Sequence, residues 1–151
     1  MAGLVLVLTT PEIALSAATA KTVLQVAAPA QQRLKLMRWG VFFDGISPSA
    51  EPVQVRLLRQ TTAIGGTPTA VTPTLTQAGS ESPQATAAYS AGGAEPSAGN
   101  VLDVKEVHPQ SGWDYTFPLG QEIHVTGGTR LGIECTAPAT VNVRAVMVYE
   151  E

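Results

Sequence analysis

Scarcity of charge, a single cysteine and the lack of any long apolar run close off several classes of protein for this chain of 151 residues. Cys135 is the only cysteine, so an intrachain disulfide is impossible and redox chemistry says nothing about compartment. Charged residues make up 14%, well under the roughly 25% of an average domain. The nine Lys and Arg residues are scattered and the net charge is −3. Nucleic-acid binding needs clustered cations that displace counterions from phosphates. The densest basic group here, Arg33, Lys35 and Arg38 followed by Arg56 and Arg59, falls in alternating segments and reads as a solvated sheet face. No nucleic-acid partner is expected. No apolar run approaches the roughly 20 residues that span a bilayer, so no membrane partner is expected either. Residues 1–20 contain a short apolar run and an Ala18-Thr19-Ala20 triplet that imitates a cleavage site. They lack a basic start, and Pro11-Glu12 interrupts them, so a removed leader is not expected.

Catalytic patterns are missing as well. The two histidines stand apart, His108 beside Pro109 and His124 within a polar alternation. There is no Gly-x-Ser-x-Gly, no His-Glu-x-x-His and no pair of Cys or His at metal spacing. Cys135 alternates with Leu131 and Ile133, which makes it a small core hydrophobe and not a reactive thiol. Asp44, Asp103, Glu106 and Asp114 form no Asp-x-Asp-x-Asp series of the kind a calcium loop needs. The pairs beginning at Gly65, Gly92 and Gly127 match no phosphate loop and read as turns. We therefore assign no catalytic residue, no metal and no cofactor, and expect a protein that is not an enzyme.

What the chain has is strands. Period-2 alternation of β-branched and apolar residues recurs at 21–28, 33–43, 52–61, 69–77, 101–108, 113–117, 121–126, 130–136 and 140–149. Gly, Pro and Asp-Gly turns separate these runs, including Asp44-Gly45 with Ser47-Pro48, and Gly127-Gly128 as a hairpin signal. Pro73 makes 69–77 an edge or bulged strand. Val146, Met147, Val148 and Tyr149 are apolar on both faces, which predicts a central or interface strand. No 3.6-residue period is sustained past Ala20. The expectation is an all-β fold, a jelly-roll-like β-sandwich or barrel of eight to nine short strands.

Two segments fall outside the pattern. Residues 1–20 read as an N-terminal arm before a single β domain at 21–151. In the arm, Leu4, Val5, Leu6, Val7 and Leu8 find no partner, so they are expected to touch another subunit. Residues 78–100 are Gly-, Ser-, Ala- and Pro-rich and read as a long exposed loop. Among the aromatics, Trp39, Trp113 and Tyr115 are a possible ligand face of the kind on which sugars stack, set against plain core packing.

The stretches AKTVLQVAAPAQQRLKLMRWGVFFDGISPSAEPVQVRLLRQTT and LGIECTAPATVNVRAVMVYEE resemble a group of small virion proteins from tailed bacteriophages. The resemblance covers 21–62 and 113–151. It lies in Trp39-Gly40-Val41 leading to Asp44-Gly45, in Pro52-Val53-x-Val55, and in Cys135-x-Ala137-Pro138 leading to Val141-Asn142-Val143-Arg144. It implies a structural role as a capsid decoration, cement or head-fibre protein, and no catalytic residue. It also implies a homo-oligomer, typically a trimer, with the major capsid protein as partner. Such a chain is made in the host cytoplasm and ends on the capsid surface of the virion. The competing class is a ligand-binding β-sandwich, such as a carbohydrate-binding or receptor-binding head module. The two are told apart by whether Trp39 and Trp113 share one open face or are packed away.

Overall fold

A computed structural model describes residues 3–46 and 51–151. Every regular element among them is a strand, and the paired strands run antiparallel. They form two sheets. The seven-stranded sheet contains β1 (Val5–Thr9), β2 (Ile13–Leu15), β4 (Leu34–Phe43), β7 (Thr74–Leu75), β10 (Gly112–Thr116), β11 (Ile123–Val125) and β13 (Val141–Glu150). Its order is β10-β4-β13-β1-β7, with β11 also on β4 and β2 also on β13. The six-stranded sheet contains β3 (Ala20–Ala27), β5 (Val53–Gln60), β6 (Pro68–Val71), β8 (Thr86–Ser90), β9 (Ala98–Val107) and β12 (Arg130–Thr136), in the order β6-β8-β3-β12-β5-β9.

The expected all-β sandwich is what forms. Alternate residues of each sheet point inward and supply one core: Leu6, Leu36, Trp39, Met147 and Tyr149 from one layer, Leu24, Val55, Leu57, Leu131 and Ile133 from the other. Each fully buried Leu or Ile contributes about 1.5–3 kcal/mol, so the pattern itself drives the layers together. The strands number more than eight or nine for local reasons. Pro73 splits 69–77 into β6 and β7, which lie at the edges of different sheets. Residues 86–90 form β8, and Ala85 and Ala87 are small enough to enter the core. The loop expected at 78–100 is therefore partly structural.

The N-terminal reading needs correction. Residues 5–9 do not stand apart as an arm: β1 lies between β13 and β7, with Leu6 opposite Tyr149 and Leu8 opposite Met147. Leu4 and Glu151 exchange backbone hydrogen bonds at 3.0 Å, and Gly3 N donates to Glu150 Oε1. The segment is apolar because it is a sheet strand with one face in the core. Gly127-Gly128 also turns differently from a hairpin. Thr129 N donates to Thr126 O and Gly128 takes a positive φ, but β11 and β12 belong to opposite sheets. The Ser47-Pro48 part of the turn after Asp44 lies outside the described residues.

Candidate functional site

Both outer faces of the sandwich are built from residues that alternate with the core, and they differ in kind. Over the six-stranded sheet lie two loop stretches, 61–67 and 92–97. They are joined by Thr61 N to Ser97 O, Gly65 N to Ala94 O and Thr67 N to Gly92 O at 2.9–3.3 Å. Gly66 and Gly92 take positive φ there, and a Cβ on Gly66 would meet the Gly92 carbonyl. Beneath them is a buried polar network. Gln25 Nε2 donates to Gln60 Oε1 at 2.7 Å and to Thr62 O at 3.1 Å, and Gln60 Nε2 donates to Thr22 Oγ1 at 2.9 Å. Glu95 closes it by accepting from Thr22 N and Ser90 Oγ, each at 2.7 Å. Gln60 fits because Gly132 beneath it has no side chain. Beside the network Arg56 pairs with Glu134, which is 5% exposed. Every member finds a partner, so the arrangement seals a sheet face and leaves no buried group poised for chemistry.

The seven-stranded sheet is open on its outside. Its register lines up Val7 with Val148, Thr9 with Val146, Val148 with Arg38, Val146 with Gly40, and Arg144 with Phe42. The outward row thus runs Val5, Val7, Val146 and Val148 across the two central strands, all half-buried, to Phe42 at 44% exposure. Ion pairs frame it: Lys35 with Glu150, Arg38 with Asp114, and Arg144 with Glu12. Arg38 and Asp114 meet through two bonds, Nε to Oδ1 at 2.8 Å and Nη2 to Oδ2 at 2.9 Å. Asp114 leans over Gly40, where a Cβ would come within 3.1 Å of its carboxylate. A hydrogen bond to Lys35 holds the Glu150 carboxyl below its ordinary range, and the same bond raises Lys35. At the far end of β13, Asn142 donates from its backbone N to Asp44 Oδ1 and from Nδ2 to Asp44 Oδ2 and Glu12 Oε1. Hydrogen bonding with Glu12 and then Asn142 holds Asp44 below the usual carboxylate range.

The expected site residues separate. Of the proposed contact set, Leu6 and Leu8 are 0% exposed and belong to the core, and Leu4 packs against it. Only Val5 and Val7 face outward, and Val146, Val148 and Phe42 join them. The aromatic set also splits. Trp39 is 0% exposed, its centroid 4.7 Å from that of Trp113. Trp113 stacks on Tyr115 at 5.6 Å, Tyr115 meets Phe117 edge-on at 5.0 Å, and Lys105 lies 5.1 Å from the Trp113 ring. This ladder runs along β10 at the sandwich edge, where Tyr115 is exposed and Trp113 is covered by its neighbours. Cys135 is 0% exposed, and burial pushes its thiol up, away from the reactive thiolate. His124 is exposed on β11, and His108 Nδ1 accepts from Gln110 N at the end of β9. Among the described residues no group of three or more His, Cys, Asp or Glu is placed to hold a metal ion.

No protein-family model, curated protein or solved structure matches the chain. The function must therefore be read from these faces and from the motifs quoted above.

The outward row of valines was partly legible in the sequence. The run from Val146 to Tyr149 signals a strand apolar on both faces. Its neighbour Val5-x-Val7 was legible as apolar but not as part of the same sheet, since that depends on pairing residues about 140 positions apart.

Proposed function

We propose that this chain is a structural virion subunit, a capsid decoration or cement protein that self-associates, as a trimer, and binds the assembled phage head. The observation that carries the reading is the outer face of the seven-stranded sheet. Its central strands β1 and β13 present valines outward, where a solvated sheet carries polar residues. A second copy of the chain is the occupant we assign to this face. The apolar row is rimmed by Lys35 and Glu150 at one end and by Arg144 and Glu12 at the other, so both signs are available to the neighbouring copy around a threefold axis.

The strand order also suits a jelly roll. Its eight principal strands fall four to a sheet, β10-β4-β13-β1 over β9-β5-β12-β3, and the chain crosses between sheets from β3 to β4 to β5, from β9 to β10, and from β11 to β12 to β13. The burial of Trp39 favours this structural reading over a sugar-binding face, because stacking on a sugar needs open rings. The phage resemblance supplies the capsid as partner and the virion surface as location. A subunit that binds only the assembled shell stabilises it by mass action.

The test is co-sedimentation with purified capsid shells. Full-length protein is expected to pellet with shells and not with dissociated capsid protein. Protein that stays in the supernatant at saturating shell concentration contradicts the capsid reading.

A further inference from the structure

The edge of the six-stranded sheet carries a feature that the outer-face association does not use. β9 is ten residues long and pairs on one side only, with β5. Natural edges of this length are guarded, because an open row of backbone groups recruits another strand. Here three large apolar side chains on β9, Val101, Leu102 and Val104, are 39–47% exposed. Two of its charges are paired within the strand, Lys105 Nζ lying 3.2 Å from Asp103 Oδ1.

We infer that β9 is a twofold self-association edge, in which β9 of a second copy pairs antiparallel about Val104 and continues the six-stranded sheet into the partner. The charges of the edge favour that register over the two adjacent to it. A twofold axis normal to the sheet sets residues of equal parity opposite one another. With the axis at Val104, Asp103 of each copy faces Lys105 of the other, Leu102 faces Glu106, and Val104 faces itself. Moving the axis to Asp103 sets two aspartates opposite each other, and moving it to Lys105 sets two lysines opposite each other. Like charges directly opposed destabilise a strand pair, and opposite charges stabilise it. Lys105 thus blocks unrelated edges and admits this one.

The backbone geometry agrees. Residues 103–107 keep regular pairing with β5, Asp103 opposite Leu57 through Val107 opposite Val53, and the register shifts only beyond Leu57. Asp103 and Lys105 lie on the same face as the inward-pointing Leu57 and Val55. Val104 and Glu106 lie on the outer face with Arg56 and Gln54. The contact buries the exposed Val104 against its own copy. It uses none of the outer-face valines and stands or falls separately from the capsid proposal.

Val104→Cys tests it, because a residue on the twofold axis faces its own copy. Cys135 is fully buried and supplies no competing thiol. Mild oxidation is expected to give Val104→Cys a covalent dimer on a non-reducing denaturing gel, and Glu106→Cys, which faces Leu102, little or none. Charge reversal gives an independent reading of the unmodified edge. Asp103→Lys and Lys105→Asp each weaken the dimer about tenfold, since two attractive pairs become repulsive, and the double variant restores it. Sedimentation velocity of folded protein reads this. If Val104→Cys cross-links no better than Glu106→Cys, or the double variant is as weak as the singles, the edge contact is refuted. A Val146→Asp variant that loses outer-face association but keeps the Val104→Cys cross-link separates this contact from the other.

Discussion

Trp39 sits at the centre of the core with its indole Nε1 buried and without a hydrogen-bond partner among the described residues. Its contribution is therefore packing, opposed by the cost of a dry N–H. Trp39→Ala is expected to cost about 3–5 kcal/mol in urea unfolding, as for other large aromatic truncations. Trp39→Phe should cost far less, because losing the unsatisfied donor recovers part of its desolvation penalty, about 1–3 kcal/mol. Equal losses for the two variants would contradict this. Ala18 shows the opposite case, a small residue under strain. It adopts φ of 54°, in the turn where its N–H donates to Ala137 O at 2.7 Å. Ala18→Gly should raise stability by about 0.5–1 kcal/mol, since the left-handed conformation penalises Cβ and the glycine's gain exceeds its unfolded-state entropy. A fall in stability would mean that the entropy wins. At this scale the sequence was readable wherever a side chain follows its strand's alternation. Leu131, Ile133 and Cys135 point into the core as their spacing predicts. Val23 does not follow its spacing. It is the extra residue where the β3–β12 register shifts, so it is buried along with Leu24 and Val26.

Among the elements, the least legible were those whose identity depends on a distant partner. Thr22, Gln25 and Gln60 are polar residues on the outer side of their strands, yet they are buried because 61–67 and 92–97 fold across them. No local pattern announces such a cover. Glu95 pins it, and Glu95→Ala leaves Thr22 N–H and the Ser90 hydroxyl, both 0% exposed by residue, without their acceptor. A loss of about 1–3 kcal/mol is expected, with faster amide exchange across 92–97 than in the parent. Unchanged exchange would show that the loop is held by other means. The residues at 86–90 were hidden for another reason: strands made of alanine carry too little bulk for a hydrophobic pattern. The ends of β4 and β13 add a pH signature through Lys35 and Glu150. Glu150 is lowered by Lys35, so its stabilisation is present above the ordinary carboxylate range and is lost as pH falls through the folded value. Lys35 is raised by Glu150, so its part is present below the ordinary lysine value and is lost as pH rises through the folded one. The stability difference between parent and Lys35→Met should be greatest near neutrality and vanish at both extremes. A difference independent of pH would exclude the ion pair as its source.

At the scale of the molecule, the sandwich class was legible from alternation and turn spacing, because both sheets bury one face and that alone imposes period 2. The allocation of strands to sheets was not, since turn chemistry at Gly127-Gly128 fixes a reversal without fixing which sheet receives the next strand. The same gap hid the outward apolar row, which appears only once residues 5–9 are laid against 146–150. The central claim is that this face joins copies of the chain into the structural unit that the phage reading requires. Sedimentation equilibrium of the parent and of Val146→Asp/Val148→Asp at micromolar concentration tests it most directly, with Lys105→Asp present in both so that the β9 edge contributes little. The account predicts a closed oligomer, a trimer, for the first and a folded monomer for the second, because two outward charges at the centre of an apolar contact remain unpaired. A strictly monomeric parent, or an oligomer untouched by the two aspartates, contradicts it.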